Sequence, residues 1–466
     1  MIEHFDLVIV GAGQSGPSLG AAMAGRGQRV AIVEARELGG TCVNRGCTPT
    51  KALRKSARVA HMARRAREFG VETGEVRVDV AAAMDRVQRV VNASRNGLET
   101  WLAGVPTLTI VRGHARLDGR DGDAFNVVVG DRVLRAPRVA LNTGTRPVVP
   151  PIPGIESVPY LTNENVLALR ECPRHLIVLG GSYIGLEFGQ IFRRLGSDVT
   201  IIETSARVAS REDADVSSSI AQFLRDEGIT IHTKQSVVAV ERAGDADVLV
   251  RCEDVVATGS HLLIATGRTP NTAELGLETI GLATDRRGYI STNGRLETAV
   301  PGVWALGDIN GRGAFTHTSY HDHEILVANW NGGTRSADDR VMTYAMFTDP
   351  PLGHVGLYEA DARRLVDAGR RISQAVYEMS RVSRAKEESE TNGLVKLLVD
   401  EDSGRFLGAT IVGINADEVV QLIGQVMAAG GTWRTVREAL PIHPTISEYL
   451  PTILDARRPL AASVPA

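Results

Sequence analysis

The sequence predicts an α/β protein. Two similar βαβ units, the second inserted into the domain begun by the first, precede a C-terminal α+β domain. Three observations predict this. Residues 6–34, DLVIVGAGQSGPSLGAAMAGRGQRVAIVE, align without a gap onto residues 175–203, HLIVLGGSYIGLEFGQIFRRLGSDVTIIE. Two Thr-Gly segments, Asn142-Thr143-Gly144-Thr145-Arg146-Pro147 and Ala265-Thr266-Gly267-Arg268-Thr269-Pro270, bracket the second unit. From Met342 the character changes, with strands expected near 394–399 and 406–413 and helices near 358–369 and 416–430.

The length of 466 residues suits about three domains. The expected boundaries are 1–150 and 268–340 for the first domain, 151–267 for the inserted one and 341–466 for the last. Hydrophobic content of 43% and charged content of 23% are those of a globular protein. A net charge of −3 gives no basis for a nucleic-acid or polybasic membrane surface. No run of about 18 apolar residues suggests a membrane span. The N-terminus runs straight into the strand Phe5–Val10 with no leader pattern, so a cytoplasmic location is expected. Four cysteines are too few for a secreted disulfide scaffold, and in that compartment a pair is more often catalytic than structural.

In the first unit an apolar strand leads into Gly11-Ala12-Gly13-Gln14-Ser15-Gly16, then a helix, then a strand ending at Glu34. This is the Rossmann fingerprint in its proper context. Gly11 permits the turn, Gly13 admits pyrophosphate to the backbone, and Gly16 lets helix and strand pack closely. The helix N-terminus faces phosphate, and Glu34 can accept from a ribose hydroxyl. The second unit repeats Gly180, Gly185 and Glu203, with Ser182 at the second glycine position. Two copies imply two dinucleotides. Glu203 would repel a 2′-phosphate, which favours NADH over NADPH, with Arg207 a nearby counterweight.

Between the units lies GGTCVNRGCTPTK, residues 39–51. Cys42 and Cys47 are five apart. In a helix they would rise about 7.5 Å and point about 140° apart. In a strand their Cα atoms would be about 17 Å apart. A disulfide needs roughly 7 Å or less, so the pair can bridge only if the backbone turns, as Asn44 and Gly46 allow. Thr48-Pro49 reads as an N-cap and first helical residue, with the helix running to about Phe69. Cys47 would then lie just outside a helix N-terminus, where the dipole lowers a thiol pKa.

Residues 80–103 have helical periodicity, and 105–140 read as short strands. The Pro-rich VVPPIPG that ends at Gly154 reads as a linker. In GVWALGDING, Asp308 would end a short buried strand and bind a polar group of the first nucleotide. His317, His321 and His323 fall on a helical segment, and His317 and His321 would share a face. No fourth ligand is evident nearby, so no metal site is assigned. Cys172 and Cys252 read as packing residues.

Taken together, GGTCVNRGCTPTK, both Rossmann units, both Thr-Gly segments, TAVPGVWALGD and IHPTISE resemble the class I pyridine nucleotide–disulfide oxidoreductases. The wording of LIVLGGSYIGLEFGQ and FTDPPLGHVGL is most like the mercuric-reductase branch. The resemblance covers nearly the whole chain. It implies two Rossmann-like (FAD/NAD-binding) domains and a C-terminal α+β dimerisation domain. FAD would be the first nucleotide and NAD(P)H the second. Cofactor-binding positions would be Gly11, Gly13, Gly16, Glu34, Thr41, Lys51, Thr143, Gly144, Asp308 and Thr316, with Gly180, Tyr183, Gly185, Glu203 and Gly267 in the inserted domain. Cys47 would face the flavin and Cys42 would attack the substrate. Lys51 would pair with Glu187, and Tyr183 would cover the flavin face. His443 and Glu448 would serve as a proton-transferring pair lent by the other subunit of a homodimer. Electrons would pass from NAD(P)H through flavin and the Cys42–Cys47 disulfide to a small disulfide or metal ion. Dihydrolipoamide dehydrogenase and a flavin-bound redox or metal sensor are the alternatives. The chain departs from the well-studied mercuric reductases in having Cys252 as its last cysteine, and no N-terminal metal-binding domain is expected. The retained His443 and Glu448 favour a disulfide substrate.

Overall fold

The structure, a computed structural model, describes residues 1–244 and 247–462. The first domain is built on a parallel sheet ordered Val303–Ala305, Val139–Leu141, Leu7–Val10, Val30–Glu34, Leu108–Arg112. Leu7–Val10 is buried throughout, as expected of a parallel strand covered on both faces. The strand from residues 303–305 joins this sheet after the chain has left it for more than a hundred residues. The second βαβ unit is therefore an insertion, as the sequence predicts. The inserted domain has its own parallel sheet, ordered Thr230–His232, Asp198–Ile202, His175–Leu179, His261–Ile264. A six-stranded antiparallel sheet forms the C-terminal domain, from Thr343–Met346 through Leu352–Gly356, Phe406–Val412, Leu394–Asp400 and Ile372–Glu378 to Arg458–Pro459. Helices Glu359–Asp367 and Ala416–Ala428 fall where the periodicity puts them.

Helix α1 (Gly16–Ala24) follows the first glycine turn. Helix α2 (Gly40–Arg45) carries Cys42, and helix α3 (Cys47–Arg65) begins with Cys47. The Thr48 N-cap expected from sequence is corrected here. The cap is Gly46, at φ −140° and ψ −114°, a conformation glycine takes readily. Pro49 still lies in the first turn, where its missing N–H has no helical partner to lose. Ala66–Phe69 continues α3 as a 3-10 turn. Helix α4 (Val80–Ala103) packs on α3. Helix α5 (Tyr183–Leu195) opens the second glycine turn. Leu53 of α3, Met84 and Val87 of α4, and Leu186, Phe188 and Phe192 of α5 share one core. Each fully buried side chain of this kind contributes about 1.5–3 kcal/mol. That core fixes the first turn of α3 against the first turn of α5.

The Thr-Gly segments do more than link. Thr145–Pro147 and Arg268–Pro270 pair antiparallel as a two-stranded ribbon, so the chain enters and leaves the inserted domain side by side. Asp308 is also corrected: the strand ends at Ala305, and Asp308 sits in the 3-10 turn Gly307–Asn310. None of the helices is long and apolar enough to cross a membrane among the described residues.

Candidate active site

A cavity of about 1190 Å³ opens where the first domain, the inserted domain and the C-terminal domain meet. It exceeds the roughly 300–1,000 Å³ of ordinary small-molecule pockets. Gly11, Gly13 and Glu34 line it, as do Thr41, Thr143, Gly144 and Asp308. So do Cys42, Cys47, Lys51, Tyr183, Glu187 and Thr316. The expected residues of the first domain are thus brought together, except Gly16, which is packed against the Gly11 carbonyl and does not line the cavity.

The turn at Gly11 has room for nothing larger. With φ +106°, a Cβ there would lie 2.3 Å from the carbonyl oxygen of Asn142. Glu34 accepts from the N–H of Ala12 at 2.8 Å and of Arg36 at 2.7 Å, which fixes its carboxylate at the cavity wall with lone pairs to spare for hydroxyls. The second unit reproduces this arrangement. Gly180 has φ +105° with a would-be Cβ 2.4 Å from the Ala265 oxygen, and Glu203 accepts from Gly181 and Ser205, each at 2.6 Å. Gly180, Gly185, Glu203 and Gly267 surround this second turn and do not line the first cavity. Asp308 accepts from the Thr145 hydroxyl at 3.0 Å, and burial pushes its carboxyl up. A dinucleotide such as FAD fits the first cavity in size, in backbone access and in the hydroxyl acceptor at its end.

Cys42 and Cys47 are free thiols that line the same cavity, Cys42 half-buried and Cys47 exposed to it. Cys47 Sγ lies 3.2 Å from Thr316 Oγ1, at the start of helix α6 (Thr316–Trp330). The hydrogen bond from Cys42 is the largest influence on Cys47 and lowers its pKa. Burial opposes it, while Thr316 and the Lys51 charge add to the lowering, and the thiol comes down to about 6. The N-terminal dipole of α3 acts in the same direction. Cys42, which gives the hydrogen bond and is also buried, is raised and keeps its proton. In the reduced protein, alkylation of Cys47 is therefore expected to rise with pH about a midpoint near 6. Cys42→Ala, which removes the donor, should move that midpoint upward. Mass-spectrometric mapping of iodoacetamide labelling against pH checks this, and an unchanged midpoint in the variant would refute the assignment of the donor.

Lys51 Nζ lies 2.8 Å from Glu187 Oε2, joining α3 to α5 as the resemblance implies. Glu187 is only 4% exposed, so its pairing matters. Its other oxygen accepts from the N–H of Phe347 at 2.8 Å, and the Phe347 ring lies 4.6 Å from the Lys51 ammonium. Phe347 escaped the sequence reading. It lies 160 residues from Glu187, and nothing local marks a backbone N–H as a carboxylate partner.

His443 Nδ1 lies 2.8 Å from Glu448 Oε2, so these two form a pair. The His443 side chain is 74% exposed and does not line its own chain's cavity. Leu440 and Ile442 beside it are 98% and 77% exposed. The helical histidines each have other engagements. His317 bonds the Thr343 carbonyl at 2.7 Å, His323 the Tyr320 carbonyl, and His321 lies between Arg335 and Arg340. Burial, then those two guanidinium charges, lowers His321. Cys252 is buried, and Cys172 lies 3.2 Å from the Ser197 hydroxyl.

Comparison with known proteins agrees with this arrangement. The family model described as "pyridine nucleotide-disulphide oxidoreductase" matches residues 5–322, and that of the family's dimerisation domain matches residues 342–453. The chain is 35% identical over 454 residues to the probable pyridine nucleotide-disulfide oxidoreductase RclA of Escherichia coli, covering 96% of this chain and 98% of the relative. It is 36% identical to a mercuric reductase of Streptomyces lividans (96% and 94%) and 33% identical to a dihydrolipoyl dehydrogenase of Synechocystis (96% and 97%). A solved structure described as the Cu(II) complex of the HOCl-induced flavoprotein disulfide reductase RclA from Escherichia coli superposes with a TM-score of 0.88 at 33% identity, covering 97% of this chain and 99% of that one. The chain belongs to the pyridine nucleotide-disulphide oxidoreductases, a family of FAD-dependent, NAD(P)H-using flavoproteins with a redox-active disulfide, and it carries the family's dimerisation domain.

Proposed function

We propose that this protein is an NAD(P)H-dependent flavoprotein reductase that uses Cys42 and Cys47 as a dithiol to reduce a small disulfide or an oxidising metal ion. The observation that carries this reading is that the free thiols Cys42 and Cys47 line one cavity with Thr316, the Lys51–Glu187 ion pair and Gly11 and Gly13 of the first glycine turn. Gly11, Gly13, Gly16, Glu34 and Asp308 would hold FAD, which supplies a two-electron carrier between nicotinamide and the thiols. The inserted domain would hold the nicotinamide nucleotide. Glu203 presents a carboxylate at the ribose end of its glycine turn, which supports NADH over NADPH. Arg207, the nearby counterweight, donates to the Glu212 carbonyl at 3.5 Å.

The chemistry of the residues follows from their proton states. Cys42, deprotonated on attack, displaces one sulfur of a disulfide RSSR and forms a Cys42–S–S–R mixed disulfide, releasing RS⁻. The Cys47 thiolate then attacks Cys42 Sγ, closes the Cys42–Cys47 disulfide and releases the second RS⁻. Each leaving thiolate takes a proton, so the balance is one RSSR and two cysteines giving two RSH and one protein disulfide. His443 of the partner subunit, oriented by its Glu448, would hold and pass these protons. Leu440 and Ile442, too apolar to be left in water at such exposure, support burial of this segment against a second copy.

A metal-ion acceptor is the second reading, favoured by the Cu(II) complex of the structural relative. Steady-state NADH oxidation with lipoamide, glutathione disulfide, mycothiol disulfide, Hg(II) and Cu(II) separates them. At least one acceptor is expected to accelerate turnover well beyond slow oxygen reduction, with NADPH the poorer donor. If none does, the sensor reading gains over the enzyme, and NADPH as the better donor would overturn the role given to Glu203.

A further inference from the structure

Cys47 rides on a long, well-packed helix, but Cys42 does not. Helix α2 is six residues long and has no buried residue of its own. So short a helix is unstable without tertiary support, because nucleation costs more than one turn of hydrogen bonds returns. The support is polar and centred on Asn44, between the two cysteines. Its amide nitrogen donates to the carbonyls of Leu38 and Gly40, both at 2.9 Å. Its amide oxygen accepts from Arg95 Nε at 3.0 Å, and Arg95 projects from α4. Asn44 thus ties the end of α2 back to its start, and Arg95 fixes which way the amide faces. Two further ties hold Arg45: its guanidinium pairs with Glu37 at 2.6 Å, and its carbonyl accepts from Asn163 at 3.0 Å. Since α4 shares its core with α3, Arg95 references α2 to the helix that bears Cys47.

We propose that Arg95, acting through Asn44, is a positioning residue that holds Cys42 within closing distance of Cys47 and so sets the equilibrium of their disulfide. The proposal rests on the dithiol reading of Cys42 and Cys47. Disulfide geometry is narrow, with Sγ atoms about 2.05 Å apart and Cα atoms within roughly 7 Å. A thiol on a frayed α2 spends less time inside those limits, and its effective concentration toward Cys47 falls. Arg95 does not line the cavity. Its effect is therefore on the pair's geometry, not on the acceptor or on a nucleotide.

The test equilibrates holoenzyme with dithiothreitol redox buffers. Oxidised dithiothreitol takes two electrons and two protons from Cys42 and Cys47 and becomes the dithiol, and alkylation with mass spectrometry counts the fraction closed. Arg95→Ala is expected to lower the closing equilibrium about tenfold, equivalent to about 30 mV for this two-electron couple. Asn44→Ala should do the same, and the double variant should go no further, because both remove one chain of contacts. Arg95→Ala with a wild-type closing equilibrium would overturn the proposal, whether or not its melting temperature falls. Strictly additive shifts would overturn the route through Asn44. A wild-type protein that closes no Cys42–Cys47 bond in oxidising buffer would overturn both this proposal and the dithiol reading beneath it.

Discussion

Cys42→Ser is expected to lose reduction of every disulfide acceptor by about a thousandfold or more, while the protein stays yellow and its flavin is still bleached by NADH. The reason is the bond that must form. A serine hydroxyl cannot make the S–S link of the mixed disulfide, and at neutral pH it is scarcely ionised. Nothing else in the cavity replaces it: Cys47 is the only other cysteine among the lining residues, and its Sγ lies 3.2 Å from the Thr316 hydroxyl. Cys47→Ser gives a different signature. Cys42 can still attack, but no thiolate follows to resolve the mixed disulfide, so one acceptor fragment should remain attached at Cys42. Steady-state turnover and intact-mass measurement distinguish the two. Wild-type turnover in Cys42→Ser would sink the assignment of Cys42 as the attacking residue.

The second large effect lies outside the chemistry. Asp349→Ala is expected to destabilise the protein by about 3–5 kcal/mol, the cost of breaking a buried ion pair from one side. Asp349 is 4% exposed. Arg58 Nη1 of α3 lies 2.6 Å from both its carboxylate oxygens, and Arg194 of α5 pairs with it directly. Gln190, also of α5, exchanges hydrogen bonds of 2.7 Å with its backbone N–H and carbonyl. The residue thus fastens two helices of the nucleotide-binding domains to the C-terminal domain. Its loss would strand Arg194, which is only 6% exposed, with Glu227 as its remaining acid partner. Burial alone would raise the Asp349 pKa, but Arg194 and Arg58 outweigh it and hold the carboxyl at about 2. A folded pKa below the unfolded 3.8 means that the pair's contribution is fully present above about pH 4 and is lost as pH falls toward 2. Thermal and urea unfolding at pH 7 and at pH 3 measure both effects. A variant that melts within a degree of wild type at pH 7 would refute the network's role.

The parts of this molecule written in consecutive residues were legible. The repeat at 6–34 and 175–203 could be aligned by eye, and it foretold even the paired carboxylates Glu34 and Glu203. Lys51 and Glu187 were reached through family resemblance, since no periodicity joins residues 136 apart. The start of α3 was misread because Thr48-Pro49 is a strong cap signal, whereas Gly46 acts as a cap through a backbone conformation that sequence does not announce. Asp349, Phe347 and the Arg95–Asn44 contact stayed hidden for a common reason. Each joins segments distant in the chain through polar contacts, and an arginine that will be buried looks like any surface arginine until the helices pack. His443 and Glu448 were likewise reached through family resemblance, and the structure places them 2.8 Å apart.

The ribbon of Thr145–Pro147 against Arg268–Pro270 has a consequence for how such a protein could be assembled from parts. Among the described residues, its two strands are where the backbone passes between the first domain and the inserted one, and they are hydrogen-bonded neighbours. The host domain therefore sees the insertion as an ornament on a single closed hairpin, since removing the guest leaves two ends already touching. A module attached in this way can be gained, exchanged or remodelled without redrawing the sheet that receives it. The antiparallel neck is in that sense a socket, and the second Rossmann unit a part that one such socket accepts.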